Sequence, residues 1–409
     1  MNLFQTQTIG TSPQINNRKG LLYSGALSFI FLMFFPNIDI IDFGDTGSSI
    51  KMYHFYGIFV LLLLPIEKRN IHPPLTAVLF FVSALLIAIL NGQRFGFDGR
   101  IVTLLYSLVF FYYFFCFACA ASYEKVLFFL QNTTLLLYAA VFIKSILLWN
   151  ELQIGYMADI YCFFPGGKNI ESTWIALFLS FFIRKKAAIF LMLSLYAMTI
   201  ALLYESRTSQ LLVVIIAILY GAHRCNPRIM YGFFILGVIG MTMLLLSVDY
   251  DAITTIAKAY GVGRFSNIGD GDGFAKRVMM WGLALPHIQN EWLFGNGIGN
   301  IIPLIRPESE LNIFENNLHN IYIQLLAELG IIPLIMFVCF ILYVMHIYFT
   351  RRTHLPELAL FIFGYAVAGV VQFTGFEILF WAVVGLYSGF KLKRSAFSEA
   401  TLEGENRGC

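Results

Sequence analysis

Apolar runs separated by shorter polar stretches dominate the sequence from beginning to end. Such runs are typical of transmembrane α-helices, which need about 20 mostly apolar residues to cross a bilayer. Twelve runs are found, at residues 21–36, 53–66, 75–90, 101–121, 126–149, 171–183, 187–204, 210–222, 231–248, 322–349, 357–373 and 377–390. The pattern predicts an all-α polytopic membrane protein with about 12 transmembrane helices.

One polar stretch is much longer than the others. Residues 249–320 carry eight acidic and five basic side chains, whereas residues 331–349 carry no Asp, Glu, Lys or Arg. We therefore expect a long, partly helical loop between the ninth and tenth spans. The predicted division is an N-terminal tail at 1–20, nine spans at 21–248, the loop at 249–320, three spans at 321–390 and a C-terminal tail at 391–409.

The lysines and arginines predict the orientation. With the N-terminus in the cytoplasm, 16 of the 27 basic residues lie on the cytoplasmic side. The short outer loops then carry only Lys51, Arg94, Arg100, Lys168 and Arg207. Because short cytoplasmic loops are enriched in Lys and Arg, both termini are predicted to be cytoplasmic and the long loop to lie outside.

The composition excludes a soluble protein. Hydrophobic residues make up 58% of the chain and charged residues 12%, whereas a soluble domain carries about 25% charged residues. The net charge of +3 is accounted for by the cytoplasmic basic residues and requires no nucleic-acid partner. Cys116 and Cys119 lie inside the fourth run without a second ligand pair, which favours small buried side chains over a metal site.

His319 stands where the polar loop meets an apolar helix. After it, Ile321, Leu325 and Leu329 recur at a spacing of four residues, which is helical, and Glu328 lies on a neighbouring face. A histidine has an unperturbed pKa of about 6.5 and can act as a general base near neutral pH. At this position it can meet both water and a lipid-linked substrate.

Arginines on the same side of the membrane are candidates for binding an anion. Arg207 occupies a very short turn, Y-E-S-R-T-S, where it either pairs with Glu205 or points toward phosphate oxygens. The long loop adds Arg264 in G-R-F-S-N and Arg277 in K-R-V-M-M-W. Because acidic residues outnumber basic ones in this loop, an anion site there must be built from individual arginines.

Two ionisable residues lie in or beside predicted spans, where charge is costly. Lys144 is close to the outer end of its span, and we expect its ammonium group to extend to the membrane surface. Glu377 stands at the outer mouth of the last span, in the same compartment as His319. It is a candidate for a supporting role.

Two motifs in the loop do not fit the sites that they suggest. Residues 270–273, D-G-D-G, begin like a calcium loop, but Phe274 and Trp281 stand at ligand positions. Residues 295–299, G-N-G-I-G, suggest a nucleotide fingerprint, yet no predicted strand precedes them. We interpret the glycines as a tight turn whose amides can face an anion, and we propose neither a metal nor a cofactor.

Taken in order, several motifs resemble those of the bacterial O-antigen polymerase and O-antigen ligase superfamily. They are S-R-T in the short turn, G-R-F-S-N, K-R-V-M-M-W-G-L-A-L, W-L-F-G-N-G-I-G-N and L-H-N-I-Y-I-Q-L-L-A-E-L-G. The resemblance covers roughly residues 204–349, and the H-N-x-Y segment with its downstream E-L-G is the most specific part.

The resemblance implies a glycosyltransferase at the periplasmic face of the bacterial inner membrane. Arg207, Arg264 and Arg277 then bind the donor diphosphate, and His319 is the general base. The supporting residues are Asn320, Tyr322, Glu328 and Glu377, with Asn320 and Glu328 as candidates to orient the histidine ring. Transfer is expected to be direct and metal-independent, and to invert the configuration at the sugar carbon.

The implied partners are an undecaprenyl-diphosphate-linked oligosaccharide, an acceptor glycan, membrane lipids and, as a protein candidate, a chain-length regulator. In a polymerase the acceptor is another lipid-linked repeat, and in a ligase it is a sugar of the lipid A core. The general character of the His319 segment favours a polymerase. A flippase for the same glycan is the alternative outside enzymes, but the sequence has no internal repeat and its polar groups collect in one outer loop, which favours an enzyme.

Overall fold

The computed structural model describes residues 24–25, 27–42, 49–62, 73–96, 98–152, 160–224, 273–308, 317–350 and 354–406. Helices account for most of these residues. They are 27–34 (α1), Met52–Leu62 (α2), Leu75–Phe95 (α3), Arg100–Ala120 (α4), Tyr123–Leu147 (α5), Trp149–Leu152 (α6), Gly167–Phe178 (α7), Ala187–Leu203 (α8), Arg207–Arg224 (α9), Gly273–Asn290 (α10), Ile301–Ile305 (α11), Ile321–Leu329 (α12), Ile331–Phe349 (α13), Pro356–Ala368 (α14) and Ile378–Asn406 (α15). Short 3-10 helices follow α7 at Leu179–Phe182 and α11 at Arg306–Glu308.

Four of the described helices, α3, α4, α5 and α13, are long and apolar enough to cross a membrane. Two shorter helices, α8 and α14, are also apolar. These helices leave many large hydrophobic side chains exposed, such as Leu86 of α3 and Leu191 of α8, as expected for surfaces in contact with lipid. The chain is therefore a multi-pass membrane protein. The count of 12 spans stays a prediction, and the ninth run lies outside the described residues.

Close helix packing builds the interior of the bundle. Helix α15 packs along α4, and Gly385 and Gly389, one helical turn apart, face α4. A Cβ atom on Gly385 would stand 2.3 Å from the Phe111 carbonyl oxygen, and one on Gly389 would stand 2.4 Å from that of Phe115. Small residues at this spacing allow membrane helices to approach backbone to backbone.

A layer of aromatic side chains joins α7 to α14 and to the loop that follows it. The Trp174 ring lies 6.1 Å from Phe361 and 4.9 Å from Phe373, and Phe373 stacks on Tyr365 at 4.6 Å. All four side chains are buried. Aromatic pairs of this kind contribute packing energy beyond the area that they bury, so these contacts hold α7, α14 and the loop together.

The structure corrects several details of the sequence interpretation. The tenth run is two helices, α12 and α13, because Gly330 breaks it with a φ of 76° and lies against Leu293: a Cβ atom there would stand 2.2 Å from the Leu293 carbonyl oxygen. A side chain at position 330 would therefore clash with the Leu293 backbone, which glycine avoids. The break separates a short amphipathic helix from a spanning one.

Two segments outside the predicted spans are regular in the structure. The segment between the first two apolar runs contains an antiparallel pair of strands, Asp39–Asp42 and Ser49–Lys51, in which Asp39 pairs with Lys51. The last helix continues to Asn406 instead of ending near residue 390. The fold is thus helical with one small hairpin, and the predicted C-terminal tail is largely helical.

The expectation that Lys144 extends to the membrane surface is wrong. Its side chain is 10% exposed and forms an ion pair with Glu171 of α7, whose side chain is fully buried. The ammonium group also donates to the Tyr161 carbonyl oxygen at 3.1 Å. A buried lysine requires such partners because an isolated charge in an apolar interior is very costly.

Candidate functional site

Arg277 lies on helix α10, in line with the apolar face of that helix. From Arg277 onward, Met280, Ala284 and Ile288 follow at spacings of three or four residues, so they share one face of the helix. These three apolar side chains are buried in a small second core with residues of α11 and α12. The arginine therefore lies one turn above a packed surface, and its Nη1 donates to the Val371 carbonyl oxygen at 2.7 Å.

Side chains hold the backbone of the turn that carries His319. The His319 amide donates to Asn317 Oδ1 at 2.8 Å, and the Leu318 amide donates to Gln324 Oε1 at 2.7 Å. The indole of Trp281, from α10, donates to the Leu318 carbonyl at 2.7 Å. His319 itself has a φ of 52°, a left-handed conformation that few non-glycine residues adopt and that surrounding contacts must maintain.

The loop after α14, residues 369–377, forms the other wall. Gly369 accepts a hydrogen bond of 2.7 Å from the Ile321 amide, Val371 accepts that of Arg277, and the backbone of Gln372 is hydrogen-bonded to the His319 ring. Consecutive residues 371 and 372 thus hold the predicted cation and the predicted base. The structure brings Arg277 and His319 together at one place.

The electrostatic setting keeps His319 neutral. Burial, followed by the positive charge of Arg277, lowers the pKa of His319 to about 4, and the hydrogen bond with Gln372 opposes this shift. Burial disfavours a charged imidazolium, and a nearby cation does the same. Among the described residues, Nδ1 of His319 is buried without a hydrogen-bond partner. An unprotonated imidazole with an unoccupied nitrogen can accept a proton.

Asn320 and Tyr322 serve the framework of this turn. Asn320 is the N-cap of α12: its Oδ1 accepts from the Tyr322 and Ile323 amides, both at 3.0 Å. The Tyr322 hydroxyl donates to the Ala366 carbonyl of α14 at 2.8 Å. The Asn320 side-chain oxygen therefore caps the helix that follows His319, and the role of Asn320 in orienting the ring stays a prediction.

Glu328 lies at the other end of α12, and its contacts differ from the predicted ones. Its fully buried carboxylate accepts from the Gly299 amide at 2.9 Å and lies 3.5 Å from Arg100 Nη1. Burial raises the pKa of Glu328, while Arg100 and the Gly299 amide oppose the shift. These contacts join α12 to α4 and to the glycine turn.

The glycine turn, residues 295–299, does present an amide to an anion, as predicted, and that anion is Glu328. Gly295, Gly297 and Gly299 have φ values of 67°, 89° and 84°, and the Gly297 amide donates to the Glu328 carbonyl oxygen at 3.0 Å. The buried Asn91 of α3 donates to the Phe294 carbonyl at 2.7 Å. The turn is thus hydrogen-bonded to both α3 and α12.

Glu377 organises the 369–377 loop. Its carboxylate accepts from the Thr374 amide at 2.8 Å, the Thr374 hydroxyl at 2.9 Å and the Gly375 amide at 3.0 Å, and also from the Tyr365 hydroxyl. Glu377 thus holds the loop that carries Val371 and Gln372, and its supporting role in the site stays a prediction.

Arg207 is the first residue of α9 and lies at the same end of the bundle as the His319 site. Two residues later, Ser209 contacts Thr173 of α7, at 3.0 Å between the two hydroxyl oxygens. The neighbouring Trp174 contacts Phe373, which follows Gln372. Arg207 is therefore linked to the His319 site through α7 and the 369–377 loop. Arg264 lies outside the described residues.

Sequence reasoning missed the groups that hold the site. Val371 and Gln372 act through backbone atoms, which carry no residue-type signal. Trp281 and Gln324 were visible within the quoted motifs, since each stands in a conspicuous polar or aromatic position, but their partner, Leu318, could not be identified without the fold.

Comparison with known protein families gives a match over part of the chain. Residues 187–338 match the model of a family described as O-antigen ligase. The segment contains Arg207, Arg277 and His319, so the predicted resemblance is confirmed there, and it implies a glycosyltransferase-like membrane enzyme with lipid-linked glycan substrates. The 369–377 loop lies beyond the matched segment. No curated protein matches the chain.

Proposed function

We propose that this protein is an O-antigen polymerase of the bacterial inner membrane. It transfers a glycan from an undecaprenyl-diphosphate carrier to a sugar hydroxyl of another lipid-linked repeat, at the periplasmic face. The observation that carries the proposal is the placement of Arg277 beside a neutral His319, one ring nitrogen of which has no hydrogen-bond partner among the described residues. A cation beside a base is what transfer from a diphosphate donor to a hydroxyl requires.

The proposed reaction is a single displacement. The acceptor hydroxyl oxygen attacks the anomeric carbon of the donor sugar while His319 takes the hydroxyl proton. The bond between the anomeric carbon and the phosphate oxygen breaks, and its electron pair leaves with undecaprenyl diphosphate. Attack from the face opposite the leaving group inverts the configuration at that carbon. A positioned general base of this kind contributes about 10² to 10⁴ in rate.

Arg277 and Arg207 stabilise the departing diphosphate. A guanidinium can bind two phosphate oxygens at once, and its charge offsets the negative charge that develops on the leaving group. Because the leaving group is already a stable anion, it needs little acid catalysis. Arg264 is proposed as a third phosphate contact from its motif alone.

The bound diphosphate also makes His319 a better base. In the free protein the Arg277 charge lowers the pKa of His319. An anion bound to Arg277 offsets that charge, so the pKa of His319 rises toward its ordinary value when the donor is present. The base therefore becomes stronger when there is a substrate to act on.

The experiment that tests the function is the surface polysaccharide of a deletion strain. Loss of a polymerase leaves the lipid A core carrying one repeat unit. Loss of a ligase leaves a bare core while lipid-linked polymer accumulates, and that outcome would favour the second candidate. Loss of a flippase also leaves a bare core, but without polymer, and purified protein would then show no transfer.

The ligase is retained as the second candidate because the matched family is described as O-antigen ligase. The two activities use the same donor and differ in the acceptor. A transfer assay with purified protein, one lipid-linked repeat and isolated lipid A core, offered separately as acceptors, distinguishes them directly.

A further inference from the structure

The buried Lys144–Glu171 pair joins several segments close to Arg207. Besides Lys144, the Glu171 carboxylate accepts from the Phe163 amide and from the Tyr204 hydroxyl, the latter at 3.0 Å. Lys144 also donates to the Tyr161 carbonyl. Helix α5, the segment before α7, α7 itself and the end of α8 therefore meet at one carboxylate.

Tyr204 stands at the start of the turn that carries Arg207. It is the C-cap of α8, and Glu205 follows with a φ of 52°. The Ser206 amide then donates to the Ala201 carbonyl at 2.9 Å, and α9 begins at Arg207. The chain reverses direction within three residues, so the position of Arg207 depends on how this turn is anchored.

A second anchor lies one residue further along α7. The Ser209 hydroxyl oxygen is 2.8 Å from that of Ser172, 3.0 Å from that of Thr173 and 2.7 Å from that of Ser206. All four side chains are buried. Three consecutive residues of α7, Glu171 to Thr173, thus contact both ends of the turn.

We propose that Glu171, Ser172 and Thr173 are positioning residues for Arg207. Glu171 fixes Tyr204 before the arginine, Ser172 and Thr173 fix Ser209 after it, and Lys144 supplies the positive charge that lets the carboxylate stay buried. The proposal rests on the proposed role of Arg207 in binding the donor diphosphate. It adds a buried element, outside residues 187–338, to the binding site.

The test is the Tyr204→Phe variant of the full-length protein. This change removes one hydroxyl and keeps the aromatic ring, so the fold should persist. We expect KM for the lipid-diphosphate donor to rise about fivefold, the value of one typical hydrogen bond, with a smaller change in kcat. Tyr138→Phe is the matched control, because it removes another buried hydroxyl bonded to α7, 2.7 Å from the Ile175 carbonyl. It should leave donor KM unchanged.

A double-mutant cycle separates positioning from general destabilisation. If Tyr204 acts through Arg207, Tyr204→Phe should raise KM in the wild-type background and have no further effect in Arg207→Ala. Ser209→Ala should behave in the same way. An equal increase in both backgrounds, or no increase in either, overturns the inference.

If Arg207 does not bind the donor diphosphate, the measurements give a different result. If Arg207→Ala itself leaves donor KM unchanged, Arg207 does not bind the diphosphate, and both proposals fail for that residue. If Arg207→Ala raises KM but neither Tyr204→Phe nor Ser209→Ala does, Arg207 keeps its role and the positioning proposal alone is wrong.

Discussion

The groups that surround an arginine differ between the two ends of the helical bundle. At one end, Arg184 lies 3.0 Å from Glu357 and 3.8 Å from Glu124, and the Tyr123 hydroxyl donates to Glu357 at 2.5 Å. At the other end, Arg277 donates to a neutral carbonyl and lies near a neutral histidine. The ends are separate, because Glu357 and Gly369 lie at opposite ends of α14, about 18 Å apart at 1.5 Å per residue.

The difference fits a structural cluster at one end and the proposed reactive site at the other. Glu357 is fully buried, and a buried carboxylate is tolerated when cations and donors compensate its charge. The Arg277 charge acts on His319 and lowers its pKa, and Nδ1 of His319 is unbonded among the described residues.

The largest effect is expected from changes at His319. Both His319→Ala and His319→Gln should lower the transfer rate by about 10² or more, because neither side chain can take the acceptor proton. Donor binding should persist through the arginines. The measurement is the rate of transfer with purified donor and acceptor, and near-normal turnover in the Gln variant would show that His319 serves only as a hydrogen-bonding group.

The next largest effect is expected from Arg277→Ala, which should lower kcat/KM by about 10² as stabilisation of the leaving group is lost. Arg277→Lys should restore part of the activity, since lysine keeps the charge but not the planar fork. Arg184→Ala is the matched control at the other end. It should lower the thermal stability because Glu357 loses its cation, and leave transfer per folded molecule unchanged. Full activity in Arg277→Ala would remove this residue from the site.

A change of pH is expected to have a smaller, graded effect on the free energy of unfolding. Since the folded pKa of His319 is about 4 and the unfolded value is about 6.5, the unfolded chain binds more protons between these values. The free energy of unfolding should therefore fall as the pH is lowered from about 6.5 toward 4.

The activity profile gives a second measurement of the same group. For kcat/KM, which reports the free enzyme, the acidic limb should lie near pH 4, and for kcat it should lie at higher pH because the bound diphosphate offsets Arg277. An acidic limb that persists unchanged in a partially active His319 variant would assign it to another group.

The smallest effect is expected at Asn320. Asn320→Ala removes the N-cap of α12 and should lower stability by about 1 kcal/mol, whereas Asn320→Asp or Asn320→Ser should restore most of it. A thermal unfolding series of the three variants measures this. Loss of activity in Asn320→Ser without loss of stability would indicate a direct contact of the amide with substrate.

The sequence by itself determined the class of protein and the identity of the main candidates. Long apolar runs require helices, because backbone groups in lipid must be paired within the segment. Where His319 meets an apolar helix, the change of solvent and the residue type together indicated a reactive position. Arg207 stood out in a very short turn between two apolar runs, and Arg277 stood out through the K-R-V-M-M-W motif.

Only the tertiary structure decided which polar groups meet. Lys144 and Glu171 are 27 positions apart, and Arg277 and Val371 are 94 apart, so no local pattern could pair them. Glu328 looked like a partner of His319 on one helix, yet the folded chain brings Arg100 and Gly299 to it instead. The physical reason is that buried charges and backbone groups are paired by the packing of distant segments, whereas helix formation and membrane insertion depend on neighbours along the chain.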